Sequence, residues 1–259
     1  MALVPNKRKR MIILLTNDDG IKSPGLVQLK SILEERHDVY VLAPDGERSG
    51  TSHRITLKGP IQLKEISPRV FSSSGSPADC VILGMLGEKI PRPDVVVSGI
   101  NIGPNLGTDL IYSGTAAAAR QAVFMNKPAL ALSLDAFQEP FYFEPLSRFI
   151  LKNLETFLSL WDTNHFVNIN APNVPRYKGF RITNPCRRIY HDKLVEFQAP
   201  DKHTYFFIEG MQVETVSSDH SDWEAVQEGY LSISPIFIHP VSEKEDMRYR
   251  TASFKLYED

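Results

Sequence analysis

Several short runs of this chain are apolar residue after residue, with no polar side left for water. They are Ile12 to Leu15, "DVYVLAP" (Asp38 to Pro44), Val95 to Val97 within "PDVVVSGIN", and "PALALSL". Successive residues of a strand point to opposite faces, so a run of this kind buries both. That is the signature of a parallel sheet covered on each side. Helical spacing lies between the runs. Leu26, Leu29, Ile32 and Leu33 recur at helical intervals over Leu26 to Glu35; "SPADCVILGML" opens with Ser76 as N-cap and Pro77 in the first turn. "GTAAAARQAVFM" is alanine-rich and predicts a helix from Thr115 to Met125, and Glu144 to Leu160 predicts another. Strand and helix alternating in this way predict an α/β fold: a Rossmann-like, mainly parallel twisted sheet with helices on both faces.

Two segments break the alternation. "ITLKGPIQLKEI" reads as a pair of short antiparallel strands around Gly59-Pro60. After the strands "HFVNINAP" and "FRITN", "RRIYHDKLVEF" and "HTYFFIEGMQVET" read as the arms of an extended β-hairpin, with a polar turn near Asp201 and Lys202. "WEAVQEGYLSISPI" then reads as a helical turn followed by a strand. The expected organisation is a flexible basic tail over residues 1–10, an α/β catalytic core over 11–180, and a hairpin with C-terminal extension over 181–259.

The 259 residues carry a net charge of −2, which gives no general attraction to polyanions. Lys7 to Arg10 is a local cluster without aromatic company, so no polymeric nucleic acid is expected as partner. No apolar stretch approaches the roughly 18 to 20 residues of a membrane span. Two cysteines, Cys80 and Cys186, make neither a disulfide framework nor a zinc site. The expectation is a soluble cytoplasmic protein.

Candidate chemistry lies in loops that follow predicted strands and therefore open at one sheet edge. "TNDDG" sets Asp18 beside Asp19, which reads either as a polar turn or as a ligand site. "PDGERSGTSH" holds Asp45, Arg48, Ser49 and His53, and "VFSSSGSPAD" holds Ser76 and Asp79. The glycine-rich "SGINIGPNLGTDLIYSGT" holds Asn101, Asn105 and Asp109 and runs through Ser113-Gly114-Thr115 into the alanine-rich helix. Adjacent carboxylates repel unless a cation sits with them, and oxygen donors suit hard divalent ions. A glycine-rich loop at a helix N-terminus can cradle an anion. Metal and anion sites together suit phosphate-ester cleavage. Taken singly, His53 reads as a surface histidine, Asp79 as a first-turn helix carboxylate and Cys80 as a packed, inert thiol. Trp161 and Trp223 read as core or interface.

The ordered set "ILLTNDDGIKSPG", "APDGERSG", "GSPADCV", "VSGINIGPNLGTDLIYSGTAAAA" and "GYLSISPI" resembles the stationary-phase survival protein E family of metal-dependent nucleotidases. The resemblance is dense from Met11 to Met125 and looser beyond. It implies a nucleoside 5′- or 3′-monophosphate phosphatase, with the hairpin used in a homodimer or homotetramer. It also implies one divalent cation per subunit, Mn²⁺ or Mg²⁺, on Asp18, Asp19, Ser49 and Asn101. Asp18 and Asp19 are then the catalytic pair, and Asn105, Ser113, Gly114 and Thr115 the phosphate site. Arg120-Gln121 departs from the family habit of an acidic residue there. Metal-activated water and an aspartyl-phosphate both remain open as mechanisms. A short-chain exopolyphosphatase and a non-catalytic nucleotide-binding regulator are the competing functions.

Overall fold

The computed structural model describes residues 10–216, 219–239 and 243–253. Residues 1–9 of the expected basic tail lie outside the described residues; Arg10 donates from Nη2 to the carbonyl oxygens of Glu34 and His37. Helices and strands alternate as β1 (Ile12–Thr16), α1 (Pro24–Leu33), β2 (Asp38–Pro44), β3 (Leu63–Ser67), β4 (Val70–Ser73), α2 (Pro77–Leu86) and β5 (Val95–Ile102). A 3-10 turn (Gly107–Ile111), α3 (Gly114–Phe124), β6 (Ala129–Asp135), α4 (Phe143–Leu160), β7 (His165–Pro172) and β8 (Phe180–Ile182) follow. The chain closes with β9 (Arg187–Gln198), β10 (Thr204–Val216), α5 (Asp222–Gln227), β11 (Leu231–Phe237) and α6 (Glu243–Arg250).

Nine strands form one sheet in the order β3-β4-β2-β1-β5-β6-β7-β11-β8, and the six from β4 to β7 run parallel. The all-apolar strands do bury both faces. Ile13 and Leu15 of β1 pack with Leu26, Leu29 and Leu33 of α1 and Leu146 and Ile150 of α4 on one side. Leu14 points the other way, into a cluster with Cys80 and Val81 of α2 and Ala118, Ala119 and Ala122 of α3. Small residues let the second layer come close. A side chain at Gly84 of α2 would sit 2.6 Å from Leu14 Cδ2.

Of the two strands expected around Gly59-Pro60 only the second forms, as β3, and it finds a different partner. Ile55 to Lys58 form no strand; Thr56 instead gives its N–H (2.8 Å) and its hydroxyl (2.7 Å) to the Asp79 carboxylate. β3 pairs antiparallel with β4 across a tight turn at Arg69 (φ +64°). β4 is recruited by its parallel register on β2, Val41 opposite Val70, a contact no local pattern announces. Asp79 is a structural carboxylate: it closes a capping box with Ser76. Burial opposes its ionisation, but the hydrogen bonds from Thr56 and Ser76 outweigh burial and hold its pKa down.

Residue 180 opens β8, and β11 inserts between β7 and β8 in the sheet begun by β1. The C-terminal segment therefore completes the sheet of the core. β9 and β10 stand apart as a two-stranded hairpin, with the turn at residues 199–203 and Lys202 at φ +67°. Cys80 and Cys186 are both free and buried, and burial pushes each thiol up to about 12. Among the described residues, no helix is long and apolar enough to cross a membrane.

Candidate active site

β1 has β2 on one side and β5 on the other, both parallel to it, so strand order reverses at β1. Open α/β sheets bind ligands beyond the carboxyl ends of the strands at such a point. Asp18 and Asp19 lie just past β1, Ser49 lies in the loop after β2, and Asn101 lies at the end of β5. Asn101 is part of the strand itself. Its pairing partner on β6 is Ser133, after a register shift between Ser98 and Asn101 that re-aims the strand end.

The loops after β1 and β2 are tied to each other. Ile21 N–H donates to the Pro44 carbonyl (2.8 Å) and Arg48 N–H to the Asp18 carbonyl (2.7 Å). Gly20, at φ +97°, faces the Gly46 backbone, where a Cβ would lie 3.0 Å from the Gly46 carbonyl carbon. These contacts bring Ser49 to the same mouth as the aspartates.

Asp18 is buried against the start of α3, accepting from the Thr115 hydroxyl and from the backbone N–H groups of Gly114 and Thr115. Burial still dominates and pushes its pKa up. Asp19 accepts from Ile102 N–H (3.3 Å) and the Ser23 hydroxyl (3.4 Å). Burial first, then the charge of Asp18, pushes Asp19 up to about 7. A buried and a half-buried carboxylate side by side that both resist ionising are a pair that lacks a positive partner. Asn101 spends its Nδ2 on the Gly103 (2.8 Å) and Ile102 (3.3 Å) carbonyls, which leaves Oδ1 as its available donor to a cation. Ser49 is exposed, its hydroxyl 3.0 Å from Glu47 Oε1. Among the described residues, no three His, Cys, Asp or Glu side chains cluster into a metal cage. Two carboxylates, an amide oxygen and a hydroxyl are the donor set here, and it fits a hard divalent cation.

A cavity of about 500 Å³ opens over these residues and is lined by Asp18, Ser49, Asn101, Asn105 and Ser113, among others. The expected phosphate residues divide. Ser113 and Asn105 line the cavity, whereas Gly114 and Thr115 make their contacts with Asp18. Ser113 Oγ caps α3 by accepting from Ala116 N–H (3.0 Å). Asn105 is held on every side: its N–H donates to Asn170 Oδ1 (2.8 Å), its Nδ2 to Ser133 Oγ (2.8 Å), and its carbonyl accepts from Asn168 and Asn170. Asn168 and Asn170 sit two apart on buried β7, a polar repeat inside "VNIN" that the sequence reading passed over.

The sequence reading also missed Arg188 and Tyr190. Both belong to the base of the hairpin, and both line the cavity together with Asp109. His53, read as a surface residue, is half-buried, with Nε2 2.9 Å from Gln121 Oε1 and its ring against Phe124. It does not line the cavity. Gln121, part of the departure at Arg120-Gln121, thus serves as a partner of His53.

The family model described as Survival protein SurE matches residues 13–192. The chain belongs to the SurE family. It is 40% identical over 236 residues to the 5′-nucleotidase SurE of Petrotoga mobilis, an alignment covering 88% of this chain and 93% of that relative. It is 42% identical over 232 residues to the 5′-nucleotidase SurE of Desulfitobacterium hafniense, covering 87% and 90%. Among solved structures, the SurE protein from Aquifex aeolicus superposes with a TM-score of 0.78 at 31% identity, over 93% of this chain and all of that one. The sheet with its switch point at β1 is thus the SurE fold, and the resemblance carried by "TNDDG" and "SGINIGPNLGTDLIYSGT" holds across most of the chain.

Proposed function

We propose that this protein is a metal-dependent 5′-nucleotidase that hydrolyses nucleoside monophosphates to nucleoside and phosphate. Family membership at about 40% identity over nearly the whole chain carries the activity class, a phosphomonoesterase. The single structural observation behind the metal dependence is the adjacent pair of Asp18, buried and lining the cavity, and Asp19, half-buried beside it, both resisting ionisation.

Asp18, Asp19, Ser49 and Asn101 would hold Mn²⁺ or Mg²⁺, which when bound supplies charge neutralisation at the phosphoryl oxygens and an acidified water. Asp18 is tied down by Thr115 and the start of α3, which suits a fixed ligand better than a mobile nucleophile. Ser113 lines the cavity and its oxygen caps α3 as an acceptor, which leaves the hydroxyl hydrogen for donation to a phosphate oxygen. Asn105, immobilised by four hydrogen bonds, fixes the opposite wall. Gly114 and Thr115 then serve the phosphate through Asp18 and the position of the helix end. Two free, buried cysteines suit a reducing compartment, the cytoplasm.

Phosphate release from nucleoside 5′- and 3′-monophosphates and from short polyphosphate tests this reading. Nucleotide hydrolysis should vanish in EDTA and return with Mn²⁺ or Mg²⁺. Full activity of metal-stripped protein, or release from polyphosphate alone, would overturn it.

The hairpin supports a homodimer or homotetramer. Leu194 (67% exposed), Phe206 (55%) and Ile208 (73%) share one of its faces, and Phe207 (60%) lies on the other. A two-stranded ribbon with apolar residues on both faces has no core of its own to bury them. Light scattering at micromolar concentration should give a dimer or larger species; a clean monomer would refute the assignment.

A further inference from the structure

The cavity is lined by two chemically different sets of residues, and the hairpin base supplies the second. The start of β9 is locked to the 3-10 turn by fully buried Asp222, which accepts from Gly107 N–H (2.8 Å) and Cys186 N–H (2.9 Å). Arg188 N–H adds a bond to Thr108 Oγ1 (3.0 Å). Gly107, at φ +52°, admits this approach, since a Cβ there would fall 2.0 Å from the Cys186 carbonyl oxygen. Arg188 and Tyr190 are two apart on the strand, so both turn to Asp109. Tyr190 donates its hydroxyl to Asp109 Oδ1, and Arg188 Nε lies 3.0 Å from Asp109 Oδ2. Asp109 thus holds Arg188 by an ion pair, in which the buried Nε makes no hydrogen bond, while Tyr190 fixes the other Asp109 oxygen.

Arg188 is the one basic side chain among the described residues that line the cavity. Its partners Thr108 and Asp109 belong to the 3-10 turn, whereas Asp18 and Asp19 make their contacts with the start of α3 and the end of β5. Phe137 and Val213 of the same lining offer apolar surface, 77% and 40% exposed. A guanidinium presents only donors, in a rigid planar fork. The part of a nucleotide rich in neutral acceptors is its nucleoside.

Building on the nucleotidase reading, we propose that Arg188, oriented by Asp109 and Tyr190 at the hairpin base, is a specificity-determining residue that donates hydrogen bonds to the nucleoside moiety of the substrate. It separates nucleotides from simple phosphate esters that present the same phosphate to the aspartates.

The test compares kcat/KM for nucleoside 5′-monophosphates and for phenyl phosphate in the Mn²⁺-loaded full-length protein, in wild type, Arg188→Gln and Arg188→Lys. The ratio of nucleotide to phenyl phosphate kcat/KM should fall roughly 10- to 100-fold in Arg188→Gln, the scale of lost hydrogen bonds from a charged donor, and the loss should sit in KM. Arg188→Lys should lower the ratio less, keeping the charge without the fork. An unchanged ratio in both variants, whether both substrates suffer equally or neither does, would overturn the inference. If Arg188→Gln does not fold, the ratio in Arg188→Lys decides. Wild-type protein that cleaves phenyl phosphate but no nucleotide would instead overturn the nucleotidase reading itself.

Discussion

Asp19→Asn should abolish phosphatase activity and, in the same protein, raise the melting temperature of the metal-free form at pH 8. The two effects have one origin. Asp19 is pushed up to about 7 by burial and by the charge of Asp18, from an ordinary value of 3.8. A carboxyl whose folded pKa is raised favours folding in its protonated state. That contribution is complete below the unfolded value and is lost as pH rises through about 7. Metal-free wild type should therefore lose stability between about pH 4 and 7, by about 2 to 4 kcal/mol, the size of the shift reduced for partial solvent access. The amide carries no charge to desolvate, so the variant should lack this slope and melt roughly 5 °C higher at pH 8. Loss of one of the carboxylates that hold the cation should lower kcat/KM on the order of 100- to 1,000-fold. Calorimetry in EDTA at pH 5 and pH 8, beside a phosphate-release assay with Mn²⁺, reads both. An active variant, or one whose metal-free melting falls with pH as the wild type's does, would refute the account.

Gly114→Ala should lower activity steeply without replacing any metal-binding residue. On helix propensity alone the change is favourable, by about 1 kcal/mol. Here the new methyl would lie 2.8 Å from Asp18 Cβ and 2.9 Å from Asp18 Oδ2, closer than a Cβ normally approaches either. α3 is held by its buried alanine face, and β1 by the centre of the sheet, so neither backbone can retreat. The Asp18 carboxylate must turn away from Thr115, and a ligand displaced by about 1 Å costs on the order of 100-fold in rate. The overpacked site should lose about 1 to 3 kcal/mol of stability as well. Metal titration of activity should show the midpoint moved to higher Mn²⁺. Wild-type activity with an unmoved midpoint would mean that Asp18 does not depend on this close approach.

The second prediction turns on a relation between Asp18 and the start of α3 that the sequence reading saw only in part. "SGT" leading into an alanine helix identifies a helix N-terminus, and the structure caps it with Ser113. The reading aimed those N–H groups at phosphate, because a helix start and an anion attract each other wherever they meet. The anion that α3 meets is Asp18, 97 residues away in sequence at Thr115. No spacing rule reports that distance.

What the sequence by itself determined is local and periodic. Runs apolar on both faces require a sheet covered on both sides, and Ile13, Leu14 and Leu15 are all fully buried as that demands. Ser76 and Asp79 carry their own capping box within four residues. Two arms with a polar turn make a hairpin, since its pairing needs only its own residues. These follow from the side-chain period and from hydrogen bonds between near neighbours, which composition encodes directly. Tertiary structure alone decided which long-range partner each remaining group found. β4 became a strand because β2 offered a parallel edge, β11 entered between β7 and β8, and Asn168 and Asn170 became the seat of Asn105. Asp222, 115 residues from Gly107, brought the hairpin base to the cavity, and with it Arg188. Buried polar groups must be paired, but the chain does not state in advance which distant group will pair them, because that choice depends on how all the layers pack together.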